Sequence, residues 1–188
     1  MLAAKVFMNG QSQAVRLPKE YRFTELGNHT IEYRFTKSIT TCKRMFENAK
    51  YVTEATLKLA SDKITDMESM FSGATSLTSI KFIDFNAEMV QSMKKMFDNT
   101  NIQNLDLSNF RTNNLKDVDD MFSGCSKLTS LNMANFGGSR ITSMKGLFSN
   151  LNQLTYLNLA NFRTGKVKDM REMFSGTSSL TSIDLSSF

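Results

Sequence analysis

"MFSGCSKLTSLNMANF", residues 121–136, is one of a series: residues 71–85 read "FSGATSLTSIKFIDF" and residues 174–188 read "FSGTSSLTSIDLSSF". A Met-Phe pair recurs at Met45-Phe46, Met70-Phe71, Met96-Phe97, Met121-Phe122 and Met173-Phe174, with Leu147-Phe148 as a variant. The successive spacings are 25, 26, 25, 26 and 26 residues. An L-x-x-L-x-L-x-x-F pattern follows each pair, as in Leu77, Ile80, Phe82, Phe85 and in Leu154, Leu157, Leu159, Phe162. The first copy, Val52, Ala55, Leu57, Ala60, is degraded. Self-similarity at this period signals stacked units, each of which buries its apolar side only against its neighbours.

Two periodicities alternate inside a unit. Leu131-x-Met133 and Leu157-x-Leu159 have the spacing of a short strand, with the intervening side chains on the opposite face. Val167, Met170, Met173 and Phe174 fall at i, i+3, i+6 and i+7, the spacing of one helix face. The expected class is therefore α/β. Residues 38–188 should form a solenoid of about six strand-helix repeats with a parallel sheet, and residues 1–37 a small β-rich N-terminal cap. Eleven of the 15 Phe fall in the two repeated columns, so packing accounts for them.

Over residues 38–188 this pattern resembles the leucine-rich repeat, and most closely the BspA-like repeats of bacterial surface proteins. The resemblance implies a non-catalytic scaffold for protein or glycan contact, used in adhesion. Where an ordinary leucine-rich repeat places Asn or Cys against loop backbone, this chain has Phe85, Phe110, Phe136, Phe162 and Phe188, expected to stack as an aromatic spine. Asn109, Asn135 and Asn161, one residue earlier, are candidates to cap the turn. The outward columns of the expected sheet are Ser79, Asn104, Ser130, Tyr156, Ser182 and Lys81, Asp106, Asn132, Asn158, Asp184. Small polar side chains around one Tyr suit an adaptable protein or glycan surface.

The first 24 residues stand outside the repeat. "AKVFMNGQSQAVRLPKEYRF" resembles the N-terminal half of VapB-type antitoxins, swapped-hairpin DNA-binding domains related to MazE and AbrB. Val6–Met8 reads as a strand, Asn9-Gly10 as a turn, Ala14–Leu17 as a second strand, and Pro18 opens a helix. The resemblance places Asn9, Gln11, Ser12, Gln13 and Arg16 against DNA. Residues 30–35 offer a third strand, while the family's fourth is absent or has become the first repeat. Two functions follow: DNA binding or toxin neutralisation by the head, or recruitment of the head as a cap.

Other residues point away from chemistry. The chain has 188 residues, 23 Lys or Arg against 18 Asp or Glu, and one histidine, His29, with no second ligand nearby in sequence. Thirteen methionines sit mainly in the repeated apolar columns and read as core filler. Cys42 and Cys125 have no metal or redox spacing, and Asp117, Asp119 and Asp120 lack the Gly and terminal Glu of a calcium loop. No phosphate loop or nucleophile elbow is present, so no enzyme, cofactor or metal is expected. Asn28 fits the N-glycosylation pattern, relevant only in a secreted chain. With no apolar run of about 20 residues and no signal-like start, the chain as written reads as cytoplasmic, or as cell-surface if it is part of a larger surface protein. The regular final copy, residues 180–188, suggests further repeats or end-to-end pairing of two molecules.

Overall fold

The structure is a computed structural model that describes residues 2–7, 29–33, 39–59 and 62–188. Its strands are β1 (Leu2–Phe7), β2 (His29–Tyr33), β3 (Val52–Lys58), β4 (Ser79–Ile83), β5 (Asn104–Asp106), β6 (Ser130–Asn132), β7 (Tyr156–Asn158) and β8 (Ser182–Asp184). Every pairing is parallel. One sheet has the order β2-β1-β3-β4, and two smaller ones are β5-β6 and β7-β8. Each repeat contributes one short strand, so the chain climbs as stacked coils at about 4.8 Å per coil.

The strand-helix expectation fails: among the described residues there is no helix. The Met-Phe segments are runs of tight turns instead. Ser69 (φ 53°) and Gly73 (φ 70°) are left-handed, as are Lys95 and Asn99, Asp120 and Gly124, and Gly146 and Asn150 in later coils. A left-handed residue every fourth position interrupts an α-helix and turns alternate N–H groups out of the segment. Met67, Ser69, Phe71 and Gly73 donate to the carbonyls of Ser92, Lys94, Met96 and Asp98 in the next coil at 2.8–2.9 Å. Met70, Ser72 and Ala74 close local turns to Met67, Ser69 and Phe71. A helix would satisfy those donors internally and leave adjacent coils joined by side chains alone along this side of the stack. The apolar spacing of three and four residues serves either backbone, so it could not separate them.

Side chains fill the coil interior in columns. Phe71, Phe97, Phe122 and Phe148 are fully buried. With Phe46 and Phe174 they make one continuous ladder, its centroids 5.1–5.9 Å apart and its planes within 9° of parallel. The expected spine proves discontinuous. Phe85 meets Phe110 edge-on at 5.2 Å and Phe136 meets Phe162 at 5.8 Å, while Phe82 wedges against Phe85 and Phe110. Each buried ring contributes about 1.5–3 kcal/mol. No buried side-chain nitrogen or oxygen among the described residues lacks a partner.

A second rhythm runs beneath the first. The left-handed position that ends each turn is Asn48, Gly73, Asn99, Gly124, Asn150, Gly176 in succession. Each Asn leans on the glycine above it: a Cβ on Gly124 would lie 2.3 Å from Asn99 Oδ1. Bridge residues alternate likewise, as Thr41, Asp66, Ser92, Asp117, Ser143, Asp169. Their side chains accept the N–H two residues on, as Asp66 does from Glu68 at 2.9 Å and Asp117 from Asp119 at 3.1 Å.

Candidate functional site: the exposed strand face

Within each strand the middle residue turns inward and its neighbours outward. Leu105 and Leu157 are buried between exposed pairs, Asn104 with Asp106 and Tyr156 with Asn158. Parallel register then aligns the outward residues: Asn104 beside Ser130, Asp106 beside Asn132, Tyr156 beside Ser182 and Asn158 beside Asp184. Lower in the stack, Glu54 lies beside Ser79 and Thr56 beside Lys81. Of the ten residues expected on this face, all are exposed except Asp184, which is half-buried.

The two columns are chemically unequal, which the sequence reading missed. Asp106, Asn132, Asn158 and Asp184 each use Oδ1 to accept the N–H two residues on, from Ser108, Ala134, Ala160 and Ser186, at 2.9–3.3 Å. These side chains fold the bend after the strand. Hydrogen bonds from Ser108 and Ser186 hold the Asp106 and Asp184 carboxyls below the ordinary carboxylate range. An Asp or Asn two residues before a small residue at a strand end was the available signal. Ser79, Asn104, Ser130, Tyr156 and Ser182 have no such side-chain bond among the described residues, and Tyr156 is 55% exposed. The two columns thus differ in how far their side chains are engaged, Lys81 lying outside the bend-forming set.

Threonines brace its edge. Thr78, Thr129 and Thr181 hydroxyls donate to the carbonyls of Thr53, Gln103 and Thr155 in the preceding coil at 3.0–3.1 Å. Asn135 Nδ2 donates to Ser108 O at 2.6 Å, and Asn161 Nδ2 to Ala134 O, so these two tie the loop backbone of adjacent coils. Where the strands begin, Thr129 N reaches Gln103 O at 2.8 Å and Gln103 N reaches Thr78 O at 3.4 Å.

The candidate DNA contacts Asn9, Gln11, Ser12, Gln13 and Arg16 lie outside the described residues, as do the expected second strand at 14–17 and the helix after Pro18. The described head strands join the repeat: β1 lies between β2 and β3 and runs parallel to both. Among the described residues no group of acids, histidines and cysteines is disposed to hold a metal ion. No helix among the described residues is long and apolar enough to cross a membrane. Both thiols are buried and free. Burial pushes Cys42 up to about 12 and Cys125 up to about 11. Cys125 Sγ also donates to Phe97 O at 3.0 Å.

Residues 19–136 and 128–188 match the family described as "Mycoplasma protein of unknown function, DUF285". The chain belongs to this family. Its repeat spans most of the matched length, so membership attaches to the stacked coils. A stretch of 24 residues, 13% of the chain, is 79% identical to antitoxin VapB2 of Rickettsia felis and spans 31% of that protein. A leucine-rich repeat protein of Bacteroides ovatus aligns with 91% of this chain and 45% of its own, at 16% identity and a TM-score of 0.46.

Proposed function

We propose that this protein is a non-enzymatic repeat scaffold that binds a protein or glycan ligand through the column Ser79, Asn104, Ser130, Tyr156 and Ser182, in the setting of a bacterial surface protein. The observation that carries the reading is the division of labour on the strand face. Asp106, Asn132, Asn158 and Asp184 fold the bends, while the neighbouring column presents small polar groups and one tyrosine with no side-chain hydrogen bond among the described residues. Tyr supplies contact area at low entropy cost, and Ser and Asn supply adaptable hydrogen bonds. Glycan and protein arrays probed with the intact chain and with Tyr156→Ala test it. A ligand should be lost with Tyr156→Ala and with Ser130→Arg while the melting temperature holds; ligands unaffected by both changes would remove this face from consideration.

The 24-residue likeness to an antitoxin favours a second reading, a DNA- or toxin-binding head with the repeats as an arm. Mobility shift of the intact chain with and without Arg16→Ala decides it. Salt-sensitive binding that weakens with the substitution supports the head; no shift at low salt eliminates DNA as its target.

A further inference from the structure

The bends of the last three coils, residues 111–116, 137–142 and 163–168, are locked in register. Thr142 N donates to Lys116 O at 3.3 Å and Lys168 N to Thr142 O at 2.9 Å. Thr112 Oγ1 donates to Gly137 O at 3.0 Å. Together they display Arg111, Lys116, Arg140, Arg163, Lys166 and Lys168, all exposed. From Met121 to Lys168 the sequence has no Asp or Glu. Arg111 faces Glu88 at 3.8 Å, and Lys116 Nζ donates to the neutral Gln91 Oε1 at 2.9 Å. Arg140, Arg163, Lys166 and Lys168 have no ion pair among the described residues. The acids adjacent to Lys116 and Lys168 in sequence are engaged: Asp117 accepts from Asp119 N–H, and Asp169 is clamped by Arg171 at 2.7 Å.

We propose that this basic patch binds a linear sulfated glycan. Two coil spacings make it about 10 Å long. A DNA duplex, whose major groove alone is about 12 Å wide, is broader than the patch is long. Single-stranded nucleic acid relies on aromatic stacking platforms, and none of the exposed aromatics Tyr51, Tyr156 and Phe188 belongs to these bends. A single sugar chain with fixed anionic groups needs only point charges with hydroxyl and amide neighbours such as Thr142 and Asn113. The patch lies off the strand face, so this proposal and the preceding one can fail separately.

Surface plasmon resonance of the intact chain on an immobilised heparin-type oligosaccharide, with an unsulfated oligosaccharide of equal length as control, tests it. The triple variant Arg140→Ser, Lys166→Ser, Lys168→Ser should bind the sulfated sugar at least about tenfold more weakly and with a shallower salt dependence. Its melting temperature should be unchanged, and Tyr156→Ala should bind the sugar normally. Undiminished binding by the triple variant, binding no stronger to the sulfated than to the unsulfated sugar, or equal or tighter binding to a short DNA duplex or single strand would overturn it.

Discussion

Replacing Gly124 by alanine probes the contact between coils at its tightest point. Gly124 has φ +71°, where an L side chain costs about 1–2 kcal/mol. The new Cβ would also sit 2.3 Å from Asn99 Oδ1 and 3.0 Å from its Cγ, so the Asn99 side chain must swing away. That movement breaks its 3.0 Å hydrogen bond to Asp98, worth about 0.5–1.5 kcal/mol. Gly124→Ala should therefore lose about 2–3 kcal/mol in urea unfolding followed by far-UV circular dichroism. Asn99→Gly keeps the left-handed backbone at φ 55° and removes only the side chain. Added to Gly124→Ala, it should abolish the collision and leave mainly the backbone cost. A double-mutant cycle should thus show about 1 kcal/mol of favourable coupling. Additivity within about 0.3 kcal/mol would refute the steric account.

Phe97→Ala, removing a fully buried ring stacked on both faces, should lose about 3–5 kcal/mol, whereas Phe174→Ala, half-buried and stacked on Phe148 alone, should lose clearly less in the same assay. Ellman's reagent at pH 8 should leave both Cys42 and Cys125 unmodified until denaturant is added, because burial holds their thiols near 12 and 11. Burial raises the Asp117 carboxyl, so the fold favours its protonated form, and that contribution is full below the ordinary carboxylate value and lost as pH rises through the raised one. Asp117→Asn keeps the acceptor for Asp119 N–H, so pH-dependent melting should show the variant equal or more stable at neutral pH, with its advantage vanishing in acid.

The period of the repeat, the inward columns and the outward register of the strands were all legible, because a 25–26-residue recurrence and a spacing of two leave little freedom. The backbone between strands was not. Met67, Met70, Phe71 and Ala74 bear helical spacing, yet the deciding facts are left-handed conformations at Ser69 and Gly73, and serine carries no strong signal for that state. Gly73, Gly124 and Gly176 did carry one, overlooked because Asn48, Asn99 and Asn150 fill the same position in the other coils. The outward columns were placed correctly but taken as equivalent. Asn158 and Asp184 owe their identity to the turns they form, a role visible only once their Oδ1 partners are known.

The alternation of Asn and Gly along the stack also sets how such an array can change in length. Excise a glycine coil and an asparagine meets an asparagine where its amide needs the space above a glycine; excise an asparagine coil and two glycines face each other with that amide lost; excise two adjacent coils and every contact is restored. The heritable module is thus a pair of coils, 51 residues from Phe71 to Phe122 and 52 from Phe122 to Phe174. Unequal crossing-over within the gene would then yield foldable products chiefly in steps of two, and the outward strand column would lengthen by two positions at a time.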